Sequence, residues 1–213
     1  TLFDYASRYA RAIKATRLRF QPPADASELK VVERLSGNAG TDFGAPSVAP
    51  AIDSTPMGDD EVHRSLALLE AIWQTFDAAA RQAEGKELLK GPRGGGRDLE
   101  KILRHVWESE EAYLRQLGGK VEKRQKPMDS REGRPLSLVE GRDLSLTEGR
   151  DLSLAEGAAA TRQAIRQALP AAARGELPQM GSRGGQRWRP RFFVRYLAWH
   201  LLDHAWEIED RAL

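Results

Sequence analysis

Apolar side chains recur at three- and four-residue intervals along several stretches of this chain, a spacing that predicts amphipathic helices. The stretch EVHRSLALLEAIWQTFDAAARQ from Glu61 is one, with Asp59 or Asp60 placed to cap it. In DLEKILRHVWESEEAYLRQL, the residues Leu99, Ile102, Leu103, Val106, Tyr113, Leu114 and Leu117 recur at helical spacing and Asp98 is the expected N-cap. GAAATRQAIRQAL from Gly157 is rich in good helix formers. RFFVRYLAWHLLDHAWEIEDR from Arg191 is largely apolar, and Pro190 suits its first turn. Ahead of these, residues 3–19 form a further predicted helix with Phe3, Tyr5, Tyr9 and Ile13 near a common side, and ELKVVERL from Glu28 is a short predicted strand. The Gly-, Pro-, Ala- and Ser-rich segment from Ser36 to Asp60 shows no sustained period, as expected of a linker or a strap over the bundle. The expected fold class is all-α, with four predicted helices within residues 53–213 and a small appendage of helix and extended chain over residues 1–52.

An eight-residue tandem repeat interrupts the pattern over about residues 132–157: EGRPLSLV from Glu132, EGRDLSLT from Glu140, EGRDLSLA from Glu148, then a final EG. Each copy offers a capping box, Ser137 with Glu140, Ser145 with Glu148, and Ser153 with Glu156. In the first two copies a Gly and then Pro or Asp discourage continuation, so the third box is expected to open the helix. The extra copies then lengthen the connection after Leu117 to about thirty residues, which fits a bundle with one long crossover. The period is too short for a solenoid unit. Tandem duplication is the simplest origin, and a leucine-bearing arm for a partner subunit is the functional alternative.

Composition narrows the class. Of 213 residues, 40% are hydrophobic and 30% charged, a globular balance. The net charge of +2 makes no general case for nucleic acid. No stretch is long and apolar enough for a membrane span and no hydrophobic signal region opens the chain, so a cytoplasmic location is expected. The first residue, Thr1, is not a methionine, which points to a trimmed or processed start. Cysteine is absent, which excludes disulfides, a thiolate nucleophile and Cys-based zinc sites. The loop GPRGGGR before Asp98 lacks the Lys-Ser/Thr pair of a phosphate-binding loop. Arg183, Arg187, Arg189, Arg191 and Arg195 gather around Trp188, Phe192 and Phe193, but the aromatics fit the entry to a core helix. An anionic small molecule is a better partner for one or two of these arginines than nucleic acid.

The candidate chemistry lies in the histidines. His200 and His204 are four apart, so both imidazoles point the same way; His204 joins the stripe of Leu197, Leu201 and Ile208, with His200 at its edge beside Phe193. A buried pair of this kind needs partners, since unsatisfied polar groups cost about 1–3 kcal/mol each. Of the two other histidines, His63 lies near a polar entry turn, whereas His105 sits amid the apolar residues of its helix and is the better third ligand. Three neutral imidazoles from two helices suit a divalent metal, zinc or nickel first and iron or cobalt after, and leave positions open for water and substrate. The alternative is a polar layer in which the pair bonds to Asp203, Glu207 or backbone. Glu207, close to His200 on the helical wheel, is the leading candidate for a ligand-orienting or general-base carboxylate. Glu108 is a weaker one, expected in a solvated run with Glu110 and Glu111. Asp203 is expected to face a neighbouring helix or solvent, and Glu209, Asp210 and Arg211 to form surface pairs. Trp199 and Trp206 make a stripe away from the histidines, suited to packing on the N-terminal segment or a second subunit.

LEKILRHVWESEEAYLRQLGG and VRYLAWHLLDHAWEIEDR together resemble the DinB-like (DinB/YfiT) superfamily of four-helix bundles over roughly residues 57–213. In that family a histidine of the second helix and two of the last bind a divalent metal, so the resemblance maps His105, His200 and His204 onto the ligands one by one. It implies a metal-dependent enzyme that activates water or a low-molecular-weight thiol for transfer, isomerisation or hydrolysis of a small electrophile, and a homodimer. A non-catalytic stress-response or ligand-binding module, with a structural metal or none, is the alternative. The ending HLLDHAWEIEDR looks like a subgroup in which the bundle follows a short, degenerate HicB-like segment. The lack of a clear strand series in residues 1–52 argues against DNA binding there.

Overall fold

A computed structural model describes residues 2–90, 96–121 and 148–213, with side chains of the last segment from Leu154 onward. Six α-helices occur among them: α1 (Leu2–Ala12), the single turn α2 (Ala39–Asp42), α3 (Asp59–Gln82), α4 (Leu99–Leu117), α5 (Glu148–Ala173) and α6 (Pro190–Arg211). Among the described residues no strand forms; Leu88 and Ala212, and Met180 and Gln186, make isolated antiparallel bridges.

Helices α3 to α6 form the bundle around one core, in which Leu69, Trp73, Ile102, Leu114, Ile165 and Leu201 are fully buried. Side-chain pairs fix the helix directions. Glu70 meets Arg166 at 2.7 Å and Asp77 meets Arg162 at 2.8 Å, so α3 and α5 are antiparallel. Trp107 donates to Thr161 at 3.1 Å, and Arg162 lies 3.6 Å from Glu110, so α4 and α5 run parallel. His105 packs on His204 and Tyr113 on Tyr196, so α4 and α6 are antiparallel. Parallel packing of helices consecutive in sequence is the arrangement of a bundle with one long crossover connection. The first two octapeptide copies and the GPRGG part of the loop before α4 lie outside the described residues.

Element ends depart from expectation in four places. Gly58 rather than Asp59 or Asp60 is the N-cap of α3; both aspartates and Glu61 fall in the first turn, where their charges suit the helix dipole. Helix α5 is already formed at Glu148, so Ser153 lies inside it and does not cap it. Extending a helix is easier than nucleating one, and Leu154 is buried against the bundle. Helix α1 stops at Ala12, not 19, because Thr16 turns back to the Ile13 carbonyl at 2.7 Å while Ile13 enters the protein interior. Residues 28–35 form no strand: Val31 and Val32 are exposed and pair with no backbone among the described residues that could complete a ladder. The expected caps Asp98, which accepts from the Lys101 amide at 2.9 Å, and Pro190 in the first turn of α6 are both in place.

The segment before α3 is a strap along α6. Arg195 donates to Pro46 O at 2.9 Å and to buried Asp53 at 2.5 Å; Arg191 donates to Pro56 O at 3.0 Å and to Glu61. Arg189 reaches Ser54 O at 3.4 Å, and Arg187 bonds the Arg115 carbonyl. Four of the grouped arginines thus hold the protein's own acceptors. At the other end of α6, Tyr5 stacks on Trp206 at 4.8 Å and Arg8 pairs with Glu209 at 2.6 Å and Asp210 at 2.9 Å. Trp206 therefore packs on the N-terminal segment, whereas Trp199 lies beside Tyr196 and within 6.0 Å of the His200 ring.

Candidate metal centre

Antiparallel packing sets the second turn of α4 against the C-terminal half of α6, and this brings the three histidines together. Their ring centroids lie 4.6 Å (His200–His204), 5.0 Å (His105–His204) and 5.2 Å (His105–His200) apart. His105 Nε2 and His200 Nε2 are 3.3 Å apart, and one ring nitrogen from each histidine falls within 4.8 Å of the others. Two nitrogens on one tetrahedral zinc stand about 3.4 Å apart. His200 and His204 are buried and His105 is half-buried, so the cluster is open on the α4 side. His63 is exposed at the start of α3 and takes no part.

Burial lowers the His200 pKa to about 3, with His204 and His105 adding repulsion. His105 is lowered by burial and then by the Arg97 charge. Both imidazoles are therefore neutral near pH 7 and hold lone pairs in their ring planes. His200 Nδ1 is buried with no hydrogen-bond partner among the described residues. Nitrogens turned toward one another, with at most one proton to share between the close pair, form a donor set that a cation completes, and on this chemistry the residues fit a divalent metal.

Glu207 Oε2 lies 2.8 Å from His204 Nδ1, and its other oxygen accepts from Arg211. The bond to His204 is the main cause of its lowered pKa. With Nδ1 donating to this carboxylate, the His204 lone pair sits on Nε2. The helical wheel brings Glu207 toward His200, but the structure joins it to His204, one turn nearer in sequence. Glu108 is exposed and acts on His105 only as a nearby charge. Asp203 is exposed.

The DinB superfamily profile matches residues 68–208, well over half of the chain, and spans all three histidines. This chain belongs to the DinB superfamily. No curated protein and no solved structure matches it. The DinB match covers most of the bundle and leaves the N-terminal helix and strap outside.

Two features of this DinB chain escape a reading of its sequence. Glu110, expected in a solvated run, is fully buried in the core; Trp73 Nε1 donates to it at 2.6 Å, and burial raises its pKa to about 7. The clue is its place in the row Ile102, Val106, Glu110, Leu114, whose members are all buried at a spacing of one helical turn. Arg211, expected in a surface pair, bonds the carboxylate that holds His204. A cavity of about 220 Å³ opens at the opposite end of the bundle, between Leu117, Leu177, Trp188 and the strap. It is lined by no histidine or carboxylate, so donor geometry, not cavity size, marks the candidate site.

Proposed function

We propose that this chain is a divalent-metal-dependent enzyme acting on a small electrophilic molecule, with zinc or nickel held by His105, His200 and His204. The reading rests on three ring nitrogens within 4.8 Å that no fourth His, Cys, Asp or Glu joins among the described residues. Three protein ligands leave room for an exogenous one, as in catalytic sites, whereas structural zinc sites are closed by four. A metal bound there would supply Lewis acidity, lowering the pKa of a water or a low-molecular-weight thiol until it attacks the electrophile in transfer, isomerisation or hydrolysis. The chain has no cysteine, so any thiol comes from solution.

The protein's own residues are proposed to act by orientation and exclusion. Glu207 engages both oxygens, one with His204 and one with Arg211, and so orients its ligand rather than taking a proton. Glu108, exposed on the same helix as His105, is the remaining candidate base. Burial of His200 and His204 keeps bulk water from the inner side, and reactants enter beside His105. A homodimer is part of the same proposal, by family resemblance alone.

Zinc- or nickel-loaded protein should consume a low-molecular-weight thiol or hydrolyse a small electrophile when screened against a panel of both. This turnover should vanish on chelation and in His105→Ala. Tightly bound metal with four protein donors by X-ray absorption, and no turnover of either kind, would instead support the non-catalytic module.

A further inference from the structure

Arg211, the last residue of α6, has a side chain only 14% exposed and directs its guanidinium at three separate acceptors. Nη1 donates to Glu207, the carboxylate on His204. Nε donates to Leu89 O at 2.7 Å, and Nη2 to Arg97 O at 2.9 Å. Leu89 and Arg97 both lie within the connection between α3 and α4, so one side chain ties its middle to its last residues before α4. The Leu89 amide also donates to Arg211 O at 2.8 Å, and neighbouring Leu88 is buried in the core. Arg97 directly precedes Asp98, the cap of the helix that carries His105.

Gly96 supplies the space for this contact. Its φ is +143°, and a Cβ there would stand 2.5 Å from Arg211 Nη2 and 3.1 Å from Cζ. Glycine alone reaches this conformation at little cost and lets the backbone approach so closely. A guanidinium is a rigid planar fork that can serve several acceptors in fixed directions, whereas an ammonium is a compact point charge on a flexible stem.

We infer that Arg211 is a positioning residue of the metal centre, holding in one guanidinium both the carboxylate that orients His204 and the entry to the helix that carries His105. Gly96 makes the room it needs. The inference rests on the three-histidine metal reading and extends it to residues outside the histidine cluster. Arg211 touches neither the metal position nor a reactant; it acts through Glu207 and through the backbone before Asp98.

The test uses the full chain and two readouts: zinc affinity by competition with a chromophoric chelator, and the visible absorption spectrum with cobalt in place of zinc. Loss of a residue that orients a metal ligand typically weakens binding about 10–100-fold. Arg211→Ala and Gly96→Ala should each weaken zinc on that scale and alter the cobalt spectrum, with Arg211→Lys between them and wild type. The Glu207→Gln/Arg211→Ala double variant should lose less than the product of the two single losses, because both act on His204. Arg8→Ala is the control: it loosens the same end of α6 at Glu209 and Asp210, and should leave affinity and spectrum unchanged. Wild-type affinity and spectrum in folded Arg211→Ala would overturn the inference while leaving the metal site intact, as would an equal loss in Arg8→Ala. If Arg211→Ala fails to fold, Gly96→Ala and Arg211→Lys decide the matter by the same two readouts. A wild-type chain that binds none of zinc, nickel, iron and cobalt overturns the metal reading and this inference together, whereas metal bound without turnover counts only against the enzymatic proposal.

Discussion

His200 and Glu110 are both buried polar groups, and the interior shifts them in opposite senses. Burial holds His200 neutral by pushing its pKa down, and holds Glu110 protonated by pushing its pKa up to about 7 from 4.5. Between those two values the folded chain keeps a proton on Glu110 that the unfolded chain has released. The stability Glu110 contributes is therefore complete below pH 4.5 and is lost as pH rises toward 7. His200 works the other way, its contribution being lost as pH falls below 6.5 toward 3. The readout must accordingly be the difference between wild type and variant at each pH. Glu110→Gln should remove a pH-linked change of up to about 3 kcal/mol, measured by chemical denaturation at about pH 5 and about pH 8. A wild-type pH dependence in the variant would show that Glu110 is ionised throughout. At this scale the three histidines were legible, because a spacing of four on an apolar helix leaves His200 and His204 few places to point, and His105 sits among the apolar residues of its own helix. Glu110 was hidden by its charge, although its place in the row from Ile102 to Leu114 marked it as inward-facing. The partners of Glu207 and Arg211 were not legible: which carboxylate oxygen meets which ring, and which carbonyls a guanidinium reaches, depends on how α6 and the α3–α4 connection pack.

Helices α3, α4 and α6 announce themselves because a long apolar stripe of period 3.6 has one way to be buried. Helix α5 is harder to delimit. The repeat supplies three capping boxes, of which local chemistry favours the third; burial of Leu154 against the bundle carries the helix back past that box to Glu148. The expected strand at 28–35 failed for a related reason, since valine favours a strand only where a partner ladder exists. Within α5, Gly157 tests packing against propensity. Alanine is the better helix former by about 1 kcal/mol, but a Cβ at Gly157 would stand 2.5 Å from Trp107 Cζ2, on a ring held by its bond to Thr161. Overpacking against a fixed ring costs about 1–3 kcal/mol, so Gly157→Ala should be destabilised by about 1 kcal/mol net in denaturant titration. A more stable variant would show that the α4–α5 contact is slack.

Across the whole molecule, the N-terminal strap and α1 bind opposite ends of α6 and so brace the helix that carries two of the three histidines. Asp53 is the most deeply buried acidic anchor of the strap, and its partner Arg195 is about a third exposed, so solvent partly screens the pair. Asp53→Ala should therefore cost about 2 kcal/mol, less than a fully buried pair, and should make the strap more sensitive to limited proteolysis. Unchanged cleavage and stability would mean that the carbonyl contacts of Arg195 and Arg191 suffice. The segment's composition suggested either a linker or a strap; only the placement of the arginines along α6 decided between them. The central claim is that the braced bundle holds one divalent metal in its three-histidine cluster. Elemental analysis of the untagged protein beside His204→Ala, with folding checked by circular dichroism, tests it most directly. About one zinc or nickel per chain, lost in a folded His204→Ala variant, is the result expected of a three-ligand site. No metal in the wild type, even after reconstitution with zinc, nickel, iron and cobalt, or equal metal in the variant, would contradict it.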